Sequence, residues 1–149
     1  MHPLIPVKIK KLGHFKGELP KYQSAAASGF DIRAQLESTI IIKPRERVMV
    51  PTGLSFEIPP GFEIQTRPRS GLAWKHGLSI INTPGTIDAD YRGEVKILLI
   101  NNGEEPIEIK DQERVAQCVL APVIQAMWLE SKDLTDSERG VGGFGSTGK

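Results

Sequence analysis

The sequence predicts an all-β domain, a sandwich or barrel of short strands with one short helix. Three observations carry that reading. Apolar residues alternate with polar ones instead of recurring at helical spacing. The alternating runs are short, recur roughly every 8–12 residues, and are mostly closed by proline or glycine. Only one stretch reads as a helix, and strands do not alternate with helices as a βαβ sheet requires. A chain of 149 residues fits one domain that can bury a real core without disulfides or a structural metal.

In chain order, Val7-Lys8-Ile9-Lys10 opens with period two. Thr39-Ile40-Ile41-Ile42-Lys43, Arg47-Val48-Met49-Val50, Leu54-Ser55-Phe56-Glu57-Ile58 and Phe62-Glu63-Ile64-Gln65-Thr66 follow, separated by Pro44, Pro51, Gly53, Pro59-Pro60-Gly61 and Pro68. The helix is expected over Ser70-Gly71-Leu72-Ala73-Trp74-Lys75-His76, ended by Gly77 in the C′ role. Two apolar runs, 78–81 and 95–100, read as strands flanking a polar stretch. Further strands are expected at Ile107-Glu108-Ile109-Lys110, at 115–119 and at 123–129. From about Asp133 the composition turns to Asp, Ser, Glu and Gly. The expected organisation is a β domain over 1–132 and a flexible C-terminal segment over 133–149.

Composition excludes several classes. The 19 basic and 18 acidic side chains nearly cancel, so no charge excess argues for nucleic acid or an anionic membrane. No apolar run approaches the roughly 20 residues of a bilayer span, and the first residues lack a signal-peptide core. The lone Cys118 excludes an internal disulfide and fits a reducing cytoplasm. Its apolar setting reads as a packed thiol, not a nucleophile. One cysteine cannot build the His/Cys/Cys zinc site of a nucleobase deaminase. No H-E-x-x-H pair or G-x-S-x-G elbow is present. His2, His14 and His76 are scattered, and His76 reads as packed against the helix end. The run from Gly143 to Lys149 mimics a Walker A loop, but a P-loop needs a strand before it and a helix after it.

Five stretches carry chemistry. Asn82-Thr83-Pro84-Gly85-Thr86-Ile87-Asp88-Ala89-Asp90-Tyr91-Arg92-Gly93-Glu94 crowds acids, a tyrosine and an arginine onto or beside a hairpin, where ladder bonds can fix a catalytic carboxylate. Pro68-Arg69-Ser70-Gly71 combines a guanidinium and a hydroxyl at a helix N-terminus, an anion site or a plain Ser cap behind a surface arginine. Ser28-Gly29-Phe30-Asp31-Ile32-Arg33-Ala34 sets an acid after a glycine, suited to a turn or to a metal's outer-shell water. Glu113-Arg114-Val115-Ala116-Gln117 could be mere strand. In the glycine-rich end, Arg139 can fork onto phosphate, Ser146, Thr147 and backbone amides can donate, and Phe144 can stack on a base. That end reads as a lid that orders on a nucleotide.

These five motifs, in this order and at these spacings, resemble the trimeric deoxyuridine triphosphate nucleotidohydrolases (dUTPases). Two departures are small: Ser28 stands where alanine is usual, and Asp111-Gln112 replace a more usual glycine-containing approach to the fourth motif. The resemblance implies a jelly-roll β fold assembled as a homotrimer with shared active sites. It implies Mg²⁺-aided hydrolysis of dUTP to dUMP and pyrophosphate, limiting uracil in DNA and supplying dUMP for thymidylate synthesis. By position, Asp88 would be the general base for water attacking the α-phosphorus. Asn82 and the hairpin backbone at Thr86 and Ile87 would read uracil, and Tyr91 would pack on the deoxyribose, leaving no room for a 2′-hydroxyl. Arg69, Ser70, Gly71 and Gln117 would hold phosphates, and Asp31 would reach the metal through waters. Phe144 would cover the uracil, Arg139, Ser146 and Thr147 would surround the γ-phosphate, and Gly145 would also meet the substrate. The rivals are a dCTP deaminase of the same fold, for which Glu94 is the one nearby candidate acid, and a noncatalytic nucleotide sensor.

Overall fold

The computed structural model describes residues 3–145. Ser146 and Thr147, both expected at the γ-phosphate, lie outside the described residues. The described chain forms β1 (Lys8–Lys11), β2 (Phe30–Arg33), β3 (Ile40–Ile42), β4 (Arg47–Pro51), β5 (Leu54–Glu57), β6 (Phe62–Arg67), α1 (Ser70–His76), β7 (Leu78–Ile80), β8 (Gly85–Ile87), β9 (Lys96–Asn101), β10 (Ile107–Ile109) and β11 (Arg114–Pro122). The expected all-β body with one short helix is therefore what forms. Every pairing is antiparallel. The sheets run β2-β11-β6-β8, β4-β9-β7, β1-β5 and β3-β10. Among the described residues no helix is long and apolar enough to cross a membrane.

Alternation explains which face each strand buries. In β6, Ile64 and Thr66 are buried, while on the other face Arg67 Nη2 donates to Gln65 Oε1 and Gln65 Nε2 to Glu63 Oε1, at 2.7 and 2.6 Å. In β9, Ile97, Leu99 and Asn101 point inward. Ile97 and Leu99 share one core with Ile32, Val50 and Leu54, and each such aliphatic side chain contributes about 1.5–3 kcal/mol when fully buried. Asn101 is polar and fully buried, but its carboxamide is satisfied: Nδ2 donates to the Ile42 and Glu105 carbonyls, and Oδ1 accepts from Gly103 N–H.

Helix α1 forms over the expected residues, with one correction at its start. Arg69, in extended conformation, takes the N-cap position, and no side chain caps the helix. Ser70 is therefore the first helical residue, not a Ser cap. At the other end Gly77 is left-handed (φ 69°) and its N–H bonds back to Ala73 and Leu72. A Cβ there would also stand 2.5 Å from Gly103 N, so glycine is required twice over.

Four further corrections concern strands and the helix end. Phe30–Arg33 is a strand, although Gly29 suggested a turn; β2 forms because β11 pairs with it. Gly85–Ile87 is likewise a strand, paired with β6. The 123–129 run, read as a strand, forms none among the described residues: past the end of β11 at Pro122 only Val123 N–H still bonds backbone, to Gly61 O at 2.9 Å. Its Ile124, Met127, Trp128 and Leu129 are 80–96% exposed. His76 is exposed, not packed.

Candidate active site

The polar stretch 82–94 is placed by a detour. Strands β7 and β9 pair as the two arms of a hairpin, Leu78 facing Asn101 and Ile80 facing Leu99. Between them the chain leaves that sheet and lends Gly85–Ile87 to another, with Ile64 facing Ile87, Gln65 facing Thr86 and Thr66 facing Gly85. Gly85 is buried, and a Cβ on it would overlap the Thr66 hydroxyl. Strand β8 is an edge strand, so one row of its amides and carbonyls has no ladder partner. The Ile87 side chain is buried, which leaves its backbone as the part that can meet a ligand.

A cleft of about 480 Å³ opens beside this edge, lined in part by Asn82, Thr86, Ile87, Asp88, Tyr91 and Glu94. Asp88 follows the last residue of β8 and is exposed; its backbone carbonyl accepts from Tyr91 N–H at 3.1 Å. Its carboxylate has no hydrogen-bond or ion-pair partner among the described residues. Glu94 differs. Its Oε1 accepts Gly53 N–H at 2.9 Å and lies 2.7 Å from His14 Nε2.

A second cleft, of about 460 Å³, is lined by Asp31, Arg69, Ser70, Gly71 and Gln117, with Leu72, Lys75 and His76. Its geometry follows from strand register. Gln117 of β11 faces Asp31 on one side and Arg67 on the other, so the three side chains share the outer face of the sheet. The β-bulge between Arg114 and Ala116 sets that register. Asp31 Oδ1 accepts from Arg69 Nε at 3.0 Å and Oδ2 from Arg114 Nη1 at 3.1 Å. Gln117 Nε2 donates to the Pro68 carbonyl at 2.9 Å, fixing the approach to α1. Within α1 the first backbone bond is Ala73 N–H to Arg69, so the amides of Ser70, Gly71 and Leu72 are free for a ligand. Arg114 completes this cluster, though sequence reasoning assigned it no role; its signal was its position three residues before Gln117.

The structure thus groups the expected residues into two sets that share no lining residue. One is rich in phosphate-type donors, the other holds the free acid and the edge-strand backbone. The C-terminal residues join neither. Arg139 Nε donates to Gly142 O within its own turn at 2.8 Å, Phe144 is fully exposed, and Gly145 is exposed. Among the described residues no three or more His, Cys, Asp or Glu side chains cluster to hold a metal. Cys118 is buried beneath the second cleft's sheet. Burial pushes its thiol up to about 12, with the Asp31 charge adding to the effect, so it is no thiolate nucleophile.

The dUTPase family model matches residues 16–148. The chain is similar to the deoxyuridine 5'-triphosphate nucleotidohydrolase of Bdellovibrio bacteriovorus, with 66% identity over 145 residues, 97% of each chain. To that of Nautilia profundicola it is 58% identical over 143 residues, 96% of this chain and 99% of the relative. The solved Staphylococcus bacteriophage 80alpha dUTPase with dUPNHPP superposes with a TM-score of 0.82 at 26% identity, covering 97% of this chain and 99% of that one. With agreement that runs nearly from end to end, in sequence and in fold, the chain belongs to the dUTPase family.

Proposed function

We propose that the protein hydrolyses dUTP to dUMP and pyrophosphate, with Asp88 as the general base for water attacking the α-phosphorus. One observation carries the assignment of the base. Of the carboxylates lining the two clefts, Asp31 is held by two guanidiniums and Glu94 by Gly53 N–H and His14. Asp88 alone has no partner among the described residues, so it alone is available to take a proton. The engagement of Glu94 also disfavours the deaminase reading, which needs a free glutamate at the base.

The remaining roles follow from the chemistry of each cleft. Arg69, the Ser70 hydroxyl, the Gly71 amide and Gln117 hold phosphate oxygens. Asn82 and the edge of β8 at Thr86 and Ile87 read the uracil, because a base whose donors and acceptors mismatch leaves buried polar groups unpaired. Tyr91 packs on the deoxyribose. The residues fit Mg²⁺ brought by the substrate, not a resident metal: the only acid of the phosphate cleft is Asp31, which its arginines leave able to reach a metal through water alone. When bound, Mg²⁺ offsets phosphate charge that would otherwise repel an anionic base. Positioning and charge stabilisation supply most of the acceleration.

The same reading makes the enzyme a homotrimer with shared sites. Two clefts without a common residue, and a 133–149 lid that touches neither within its described part, suit a site completed by different copies. The exposed apolar run at 123–129 is more than a monomer leaves in water, and it supports assembly. Phe144 then covers the uracil, while Arg139 and Gly145, with Ser146 and Thr147, close over the phosphates. A cytoplasmic role in limiting uracil in DNA and supplying dUMP suits the unpaired, buried Cys118. The decisive experiment is pyrophosphate release from dUTP, with dCTP and dTTP beside it, by wild type and Asp88→Asn. The variant is expected to bind dUTP with turnover lowered by a factor on the order of 10²–10⁴. Tight binding of dUTP without turnover by the wild type would make the protein a sensor instead, and full turnover by the variant would remove Asp88 from the mechanism.

A further inference from the structure

Tyr91 is half-exposed in its cleft, yet its ring is not free to swing. The ring folds back over Gly93, where a Cβ would stand 2.6 Å from Tyr91 Cζ and overlap the hydroxyl. Gly93 has no positive φ, so glycine is needed there for space and not for backbone conformation. The Tyr91 hydroxyl donates to the Glu94 carbonyl at 3.0 Å. That carbonyl belongs to the same rigid peptide unit as Val95 N–H, which donates to Leu54 O at 2.8 Å. The Glu94 side chain, 16% exposed, ties the unit a second time through Gly53 N–H and His14 Nε2. Gly53 is itself fixed, its carbonyl accepting Leu12 N–H at 2.8 Å.

We propose that Gly93 and Glu94 are positioning residues for the Tyr91 ring, and through it set the discrimination between deoxyribose and ribose nucleotides. The proposal rests on the dUTPase reading and on Tyr91 packing against the sugar. Rejecting one added oxygen requires a wall that does not yield. An exposed tyrosine on a turn yields unless its two ends are held. Gly93 lets the ring close down, and the Glu94 unit holds the hydroxyl against the protein body. Glu94 touches neither base nor phosphate in this role; it acts through Tyr91.

The test measures kcat and KM for dUTP and for UTP in wild type, Gly93→Ala, Glu94→Ala, Glu94→Gln and Tyr91→Phe. The ratio of kcat/KM for dUTP over UTP is expected to fall roughly tenfold or more in Gly93→Ala and Glu94→Ala, mostly through gained use of UTP. Glu94→Gln, whose amide oxygen still accepts Gly53 N–H, should keep most of the ratio. Tyr91→Phe removes one hydroxyl at an exposed site, leaves the fold intact, and should also lower the ratio. Wild-type turnover of dUTP with UTP refused checks the underlying reading in the same assay. Against that background, Gly93→Ala and Tyr91→Phe with ratios within about twofold of wild type would overturn the clamp alone. Should Glu94→Ala fail to fold, those two variants and Glu94→Gln still decide the matter.

Discussion

Replacing Gly29 by alanine probes how the proposed phosphate cleft is kept in shape. Gly29 has no positive φ, so alanine adds a methyl group without backbone strain. The new Cβ would stand 2.8 Å from Gln117 Oε1, 3.3 Å from the Cys118 carbonyl and 3.5 Å from Val119 Cγ2. The carbonyl cannot retreat, because β11 is laddered to β2 on one side and β6 on the other. The Gln117 carboxamide must give instead, by roughly 0.5 Å or more to reach ordinary contact. Its bond to Pro68 O, now 2.9 Å, then stretches past useful range. Losing it removes about 0.5–1.5 kcal/mol of stability, a shift of roughly 1–6 °C in Tm for a chain of this size. The larger effect is on geometry, since Pro68 leads directly into Arg69, Ser70 and Gly71. A displacement of that scale should lower kcat/KM for dUTP by about tenfold to a hundredfold. Gln117→Ala makes room for the methyl, so the double variant should be far less impaired than the two singles multiplied together. Gly29→Ala kinetics within about twofold of wild type, or strict additivity with Gln117→Ala, would refute the reasoning.

Mixing inactive Asp88→Asn chains with chains truncated after Asp136 should restore part of the activity if carboxylate and lid meet from different copies; no recovery under subunit exchange verified by mass spectrometry would put each site within one chain. Asn101→Asp should cost about 3 kcal/mol or more in urea unfolding at pH 7, above the cost of Asn101→Ala, because a carboxylate oxygen would replace the Nδ2 donor facing two carbonyls; equal stabilities would contradict this. Asp111 is held below the usual carboxylate range first by Lys16 and then by Leu36 N–H. A lowered folded value stabilises the fold above the unfolded value near 4, and that stabilisation is lost as pH falls through the lowered value. Asp111→Asn should therefore flatten the acid limb of stability below about pH 4, and an unchanged limb would remove Asp111 from it.

What the sequence disclosed tracks where local chemistry decides. Strands such as β5 and β6 were legible because period-two alternation and their flanking prolines and glycines are written into the chain itself. Helix α1 was legible at its end, where only a left-handed glycine fits, and misread at its start, where an extended Arg69 serves without a capping side chain. Strands β2 and β8 were missed for a shared reason: each is three or four residues beside a glycine, too short to nucleate alone, and each exists because β11 or β6 supplies the partner. The 123–129 run shows the converse. Its composition favours a strand, but no pattern in one chain says which sheet will accept it. In the candidate site the residue types were legible from the motifs, while the partition into two clefts was not, since it depends on strand register.

That register also aims the acid. Ile87 faces Ile64 across the β6–β8 pair, and both side chains are buried. A slip of one residue would turn Ile87 outward and expose apolar surface, so burial fixes the pairing. Because successive side chains alternate, the contact that draws Ile87 into the core is what leaves Asp88, the next residue, facing solvent beside the cleft. The free edge of β8 belongs to the same three residues, so the proposed base reading and water activation share one anchor. An apolar change at Ile64 or Ile87 would therefore be felt in turnover before it was felt in folding. The carboxylate proposed as general base is positioned by hydrocarbon packing on the opposite face of the sheet, and no polar contact to Asp88 itself is needed.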